Sequence, residues 1–88
     1  MKNFKEYLLD RKCTLPQSIY LPKKAETISV YDTEKGLKLL VLVSPIELET
    51  DLRTFKICTV DENIYMDNIK YIGSFNSITG LKHIIEVV

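Results

Sequence analysis

Residues 26–43 read ETISVYDTEKGLKLLVLV, and the way this stretch divides decides the fold. Residues 26–31 alternate, which predicts a half-buried strand with Ile28 and Val30 on one face and Thr27, Ser29 and Tyr31 on the other. Residues 32–36 are polar and end in Gly36, which accepts the positive φ of a tight hairpin turn. Residues 37–43 are almost continuously apolar, the signature of a central strand covered on both faces. The three pieces make an antiparallel hairpin.

The same punctuation recurs on either side. Residues 18–21 form a short β-branched and aromatic run stopped by Pro22, which cannot donate to a ladder. Residues 52–60 alternate, with Phe55 and Ile57 facing one way and Thr54, Lys56 and Cys58 the other. Residues 69–75 form a further strand, predicted to carry Ile69, Tyr71, Gly73 and Phe75 on one side. Residues 77–80 are a second glycine-ended turn, and residues 81–88 close the chain as a terminal strand. Gly73 interrupts a strand, which signals a bulge or a close backbone approach.

Three segments are less regular. Residues 45–51 form an acidic loop under which Ile46 and Leu48 are expected to tuck. Residues 61–68 are the longest connection, either one helical turn or an irregular loop anchored by Ile64 and Met66. At the N-terminus, Phe4, Tyr7 and Leu8 fit helical spacing, yet residues 4–9 fit an edge strand equally well. The expectation is one mainly β domain. Its mostly antiparallel sheet of five to six strands curls into a sandwich or partial barrel, with at most one short helix.

Composition narrows function by elimination. The 88 residues, 45% apolar and 27% charged, suit a single small globular domain. Twelve basic and twelve acidic residues cancel, so the chain lacks the global field with which nucleic-acid binders attract phosphates. The charge is uneven: residues 1–24 carry six bases against Glu6 and Asp10, while residues 25–67 carry nine acids against four bases. Cys13 and Cys58 form neither a disulfide framework nor a zinc motif. Residues 1–12 lack the continuous apolar core of a secretory signal, and the apolar run 39–43 is too short to cross a bilayer. These features predict a cytoplasmic protein with reduced thiols.

No catalytic template fits. His83 is the single histidine, read as a half-buried strand residue satisfied by one hydrogen bond. A triad needs an activated nucleophile and an orienting acid beside it, and Cys13, Cys58 and His83 are scattered along the sequence. Asp61, Glu62 and Asp67 are explained by an acidic, solvent-facing connection. There is no glycine-rich phosphate loop, and no cofactor is indicated. Among the aromatics, Phe55, Tyr71 and Phe75 are expected in the core, with Tyr7, Tyr20, Tyr31 and Tyr65 at strand or loop ends. The chain is expected not to be an enzyme.

Several strings, in order, resemble a known family: Ile19-Tyr20-Leu21-Pro22-Lys23-Lys24-Ala25, Ile28-Ser29-Val30, Leu39-Leu40-Val41-Leu42-Val43-Ser44-Pro45, Arg53-Thr54-Phe55-Lys56, Tyr71-Ile72-Gly73-Ser74 and Gly80-Leu81. Together they look like a small domain encoded by many bacteriophages and prophages, to which no activity is attached. The chain departs from that pattern at Leu40, where the family has tryptophan, at residues 58–61, where it has a Gly-Thr-Gly-His stretch, and in a tail without tryptophan. The resemblance implies a small β-rich fold, a phage origin and a strand over residues 4–9.

Two functional expectations follow. The first is an accessory or counter-defence protein that binds a host bacterial protein, with Glu47, Glu49, Asp51, Tyr31 and Tyr65 at the contact. The second is a homo-oligomer that sequesters a nucleotide signal between subunits, with Lys38, Arg53, Tyr71 and the Gly73 backbone as ligand groups.

Overall fold

The hairpin of residues 26–43 is present as β3 (Glu26–Thr33) and β4 (Gly36–Val43). It is joined by Glu34-Lys35, and Gly36 takes a φ of 136°. The computed structural model describes residues 1–88. The other strands are β1 (Asn3–Leu9), β2 (Gln17–Pro22), β5 (Thr50–Thr59), β6 (Ile69–Ser77) and β7 (Gly80–Val87). All pair antiparallel, in a three-stranded sheet of order β1-β4-β3 and a four-stranded sheet of order β2-β5-β7-β6. The fold is thus all-β and sandwich-like. It has seven strands rather than five or six, and no helix at all.

The N-terminal segment is a strand because β4 offers it a partner: Phe4 lies opposite Leu42, Glu6 opposite Leu40 and Leu8 opposite Lys38. Helical spacing alone carries little weight when a long apolar strand stands ready to complete a sheet. The inner faces of the two sheets share one core. Leu9, Val30, Leu37, Leu39, Val41 and Val43 from the first sheet meet Leu21, Phe55, Ile57, Ile72, Phe75 and Ile84 from the second. Phe55 is fully buried at its centre, and its truncation to alanine is worth about 3–5 kcal/mol.

Two bulges correct the predicted faces. In β3 the register shifts between Thr27 and Ser29, which turns Thr27 and Val30 inward and leaves Ile28 exposed. In β6 it shifts between Tyr71 and Gly73. Ile72 and Phe75 are therefore buried, whereas Tyr71, expected in the core, is 57% exposed. An extra residue on one strand reverses the alternation beyond it. Gly73 also allows a close approach of the two edge strands. A Cβ there would stand 3.2 Å from Val30 Cγ2 and 3.5 Å from the Val30 amide nitrogen.

Two further expectations change. β4 is central, but only one face is covered: Leu37, Leu39, Val41 and Val43 are buried, while Lys38, Leu40 and Leu42 are half-exposed. Ile46 and Leu48 do not tuck under their loop, and both project from it. Residues 60–68 are irregular, without a helical turn. No helix is long and apolar enough to cross a membrane.

One buried polar cluster joins the two layers. Glu86, on the inner face of β7 and 1% exposed, receives Arg53 Nε on one carboxylate oxygen and Arg53 Nη2 at 3.1 Å on the other. Thr27 Oγ1 donates to Glu86 Oε1 at 2.8 Å. Arg53 Nη1 donates to the Ala25 carbonyl at 2.8 Å, and Lys70 Nζ donates to both the carbonyl and the hydroxyl of Thr27. A forked guanidinium matches a carboxylate with two parallel bonds. No buried side-chain nitrogen or oxygen is left without a partner, the condition under which such a cluster is tolerated in a core.

Candidate functional site

The acidic loop is shaped by its own backbone. Pro45 follows Ser44, whose carbonyl accepts the Glu47 amide at 3.2 Å in a turn. The Glu47 carboxylate then accepts the Glu49 amide at 3.0 Å. Lys23 grips the far side: its amide donates to the Glu49 carbonyl at 2.8 Å, and its ammonium pairs with the Glu49 carboxylate at 3.2 Å. These bonds hold residues 44–49 in one shape, and that shape turns the apolar side chains out. Ile46 is 85% exposed and Leu48 93%.

The loop runs directly into β5, where Asp51 is exposed and Leu52 points away from the core. Across the ladder from Leu52 stands Tyr20, also exposed. Glu47 and Glu49 thus alternate with Ile46 and Leu48 at the tip, while Asp51 and Leu52 leave opposite faces of β5, Leu52 beside the exposed Tyr20. Solvated acids alone would be an ordinary surface. Two aliphatic side chains are held out in water at a hydrogen-bonded tip and take no part in the core.

The other named residues lie elsewhere. Tyr31 sits on the outer face of the three-stranded sheet, directly beside Lys38 in the ladder. Tyr65 is exposed in residues 60–68. Neither shares a surface with Glu47, Glu49 and Asp51. Of the ligand set, Arg53 is committed to Glu86 inside the sandwich, Tyr71 lies on the outer face of the four-stranded sheet and Gly73 is pressed against Val30. Lys38, Arg53, Tyr71 and Gly73 thus occupy four separate environments and do not form one cradle.

The structure does bring together a group that the sequence scatters. Cys58 and His83 are directly opposite in the β5–β7 ladder, on the outer face of the four-stranded sheet. The Tyr71 hydroxyl shares a 2.8 Å hydrogen bond with His83 Nδ1, the rings 5.7 Å apart and tilted by 49°. Residues 60–68 lie over this face, pinned by the Lys56–Glu62 ion pair and by the bond from the Val88 amide to the Asn68 carbonyl. A shallow groove of about 350 Å³ remains, lined mainly by Val60, Ile64, Ile69 and Ile85 around these groups.

Its chemistry is subdued. Burial pushes the Cys58 thiol up, against the pull of the Lys56 ammonium, so the sulfur is protonated at neutral pH and is a poor nucleophile. His83 is half-buried and satisfied by Tyr71. No three His, Cys, Asp or Glu side chains converge as ligands for a metal ion. Both cysteines are free thiols. The signal that could have found the pair is the antiparallel register of residues 54–59 with 82–87, which the residues of the two strands encode only collectively.

Comparison with protein-family models, with curated proteins and with solved structures gives no match.

Proposed function

We propose that this chain acts by stoichiometric binding to another protein, and that residues 44–52 are the contact. The observation that carries the reading is the outward placement of Ile46 and Leu48, alternating with Glu47 and Glu49, on a loop whose backbone is already fixed. A pre-shaped loop loses little conformational freedom when it docks. The matching partner surface is an apolar cleft with a basic rim. The apolar tip supplies affinity, and the carboxylates speed and orient the encounter.

The resemblance to a phage-encoded domain supports a bacterial host protein as that partner and a counter-defence or accessory role. A non-catalytic role is in keeping with a protonated, buried thiol and a histidine already satisfied by a tyrosine.

The test is affinity capture from bacterial lysate with the wild-type chain and with an Ile46→Asp, Leu48→Asp variant whose unfolding midpoint is unchanged. A protein retained stoichiometrically by the wild type and lost by the variant is the expected result. A partner held equally by both, or none held by the wild type, overturns the proposal.

A further inference from the structure

The two ends of β7 carry charge on their inner face in different ways. At one end Glu86 and Arg53 satisfy each other. Near the other stands Lys82, opposite the buried Phe75 in the β6–β7 ladder and on the same face of the strand as Ile84 and Glu86. Lys82 is half-buried, yet it pairs with no carboxylate and its ammonium donates to no atom of the chain. A lysine drawn in between two sheets normally has a partner.

The β1–β2 connection brings two more cations to the same place. Arg11 and Lys12 line, with Lys82, a cavity of about 430 Å³, a size usual for small-molecule sites. Arg11 is fixed by one nitrogen: Nη2 donates to the Thr33 carbonyl at 2.9 Å and lies 3.4 Å from Asp32 Oδ1. Its Nε and Nη1 are left over, and Lys12 has no ionic partner. Asp32 is the one carboxylate of the lining, so three cations face a single acid. Asp10 turns its carboxylate onto the Lys12 amide, and Glu34 and Asp61, in adjacent turns, stand outside the cavity. The opposite wall is the β6–β7 hairpin, with the Asn76 amide and the Thr79 hydroxyl along it and Ile78 fully exposed at the rim.

We propose that this cavity binds the phosphate of a small phosphorylated molecule, a phosphate monoester. A cleft lined by one sign of charge concentrates ligands of the other. A guanidinium already held at one nitrogen offers the rest to phosphate oxygens with little left to order. Asn76 and Thr79 add neutral donors, and Ile78 gives the ester group an apolar shelf. A nucleic acid needs cations spread along a track, whereas these converge on one pocket. β5 separates the site from the contact loop: Thr59 opposes Lys82 at one end of the strand, and residues 44–49 enter at the other. The inference is therefore independent of the protein-binding reading.

Titration of the isotope-labelled full chain with inorganic phosphate and with phenyl phosphate, followed by NMR, tests it. Saturable shifts are expected at the amides of Arg11, Asn76, Thr79 and Lys82, with phenyl phosphate the tighter of the two. Lys82→Met breaks no bond within the chain, so its unfolding midpoint stays while affinity for phenyl phosphate falls by about tenfold or more. Lys12→Met weakens binding in the same direction. Lys2→Met, an equal loss of charge ahead of β1, leaves affinity unchanged. Shifts that fail to saturate, or that Lys82→Met and Lys2→Met weaken equally, overturn the proposal. So does inorganic phosphate binding as tightly as phenyl phosphate, or a single-stranded oligonucleotide binding the same residues more tightly than either.

Discussion

The two sheets treat their outer faces differently. Part of the outer face of the four-stranded sheet is sheltered by its own chain: residues 60–68 fold back beside β5, β7 and β6, and there Cys58 and Ile85 are buried, while Tyr20 and Leu52 at the far end stay exposed. The outer face of the three-stranded sheet, where Phe4, Leu8, Leu40 and Leu42 stand among Glu6, Lys38 and Glu26, has no such covering segment. One long connection accounts for the difference. β3 and β4 are joined by a two-residue turn, which cannot reach across a sheet, whereas the path from β5 to β6 has residues to spare. In so small a domain, which part of a sheet's outer face is sheltered follows from where the loop length is placed.

The comparison holds only while the two sheets stay locked, and the largest expected effect comes from unlocking them. Arg53→Met leaves the Glu86 carboxylate buried without its guanidinium, and the expected loss is about 3–5 kcal/mol in urea unfolding. A loss below 1 kcal/mol would show that the cluster does not hold the layers together.

Next in size is a contrast of the two faces themselves. Ile85→Ala, under the covering segment, is expected to cost about 2–4 kcal/mol. Leu40→Ala, on the bare face, is expected to cost less than about 1 kcal/mol. Equal losses would mean that the two faces are not different in kind.

Thiol reactivity sharpens the contrast without mutation. Cys13, in the β1–β2 connection, is partly exposed, while Cys58 is buried with its thiol pushed up. A disulfide reagent at neutral pH should consume one thiol quickly and the second much more slowly. Lys56→Met, which unpins residues 60–68, should speed the slow phase.

The smallest effect is electrostatic. The hydrogen bond from the Lys56 ammonium holds the Glu62 carboxyl below its ordinary value of 4.5. A lowered carboxyl in the folded state means that the pair stabilises the protein above the unfolded value, and that this contribution fades as pH falls through the lower folded one. For a partly exposed pair the gain is below about 1 kcal/mol. The titration of Glu62 followed by NMR should have its midpoint below 4.5 and return toward it in Lys56→Met; an unchanged midpoint would show that another group sets it.

The strands were legible because alternation and glycine-ended turns are local signals. The hairpins at residues 33–36 and 77–80 lie where Gly36 and Gly80 put them. What the sequence concealed is the effect of one extra residue. At Thr27/Ser29 and again at Tyr71/Gly73 a bulge shifts the phase, and every side chain beyond it changes face. Tyr71 and Ile28 were misplaced for that reason. The Arg53–Glu86 pair was open to a different signal, a glutamate standing alone in the run Ile84-Ile85-Glu86-Val87-Val88, since an acid in a buried strand needs a partner. Ile46 and Leu48 were expected to tuck because apolar residues usually do; the turn at Ser44 and the grip of Lys23 on Glu49 decide otherwise.

The strand order also has a cost in time. Only β3–β4 and β6–β7 are neighbours both in sequence and in a sheet; β1 must find β4, and β2 must find β5. Pairings between distant segments form late, because loop closure precedes their reward. During synthesis at about 5–20 residues per second, β1 is made roughly 2–7 s before β4 is complete. Through that interval Phe4, Tyr7, Leu8 and Leu9 stand on an unpaired ribbon, so nascent chains of this protein should be early clients of whatever chaperone guards the ribosome exit.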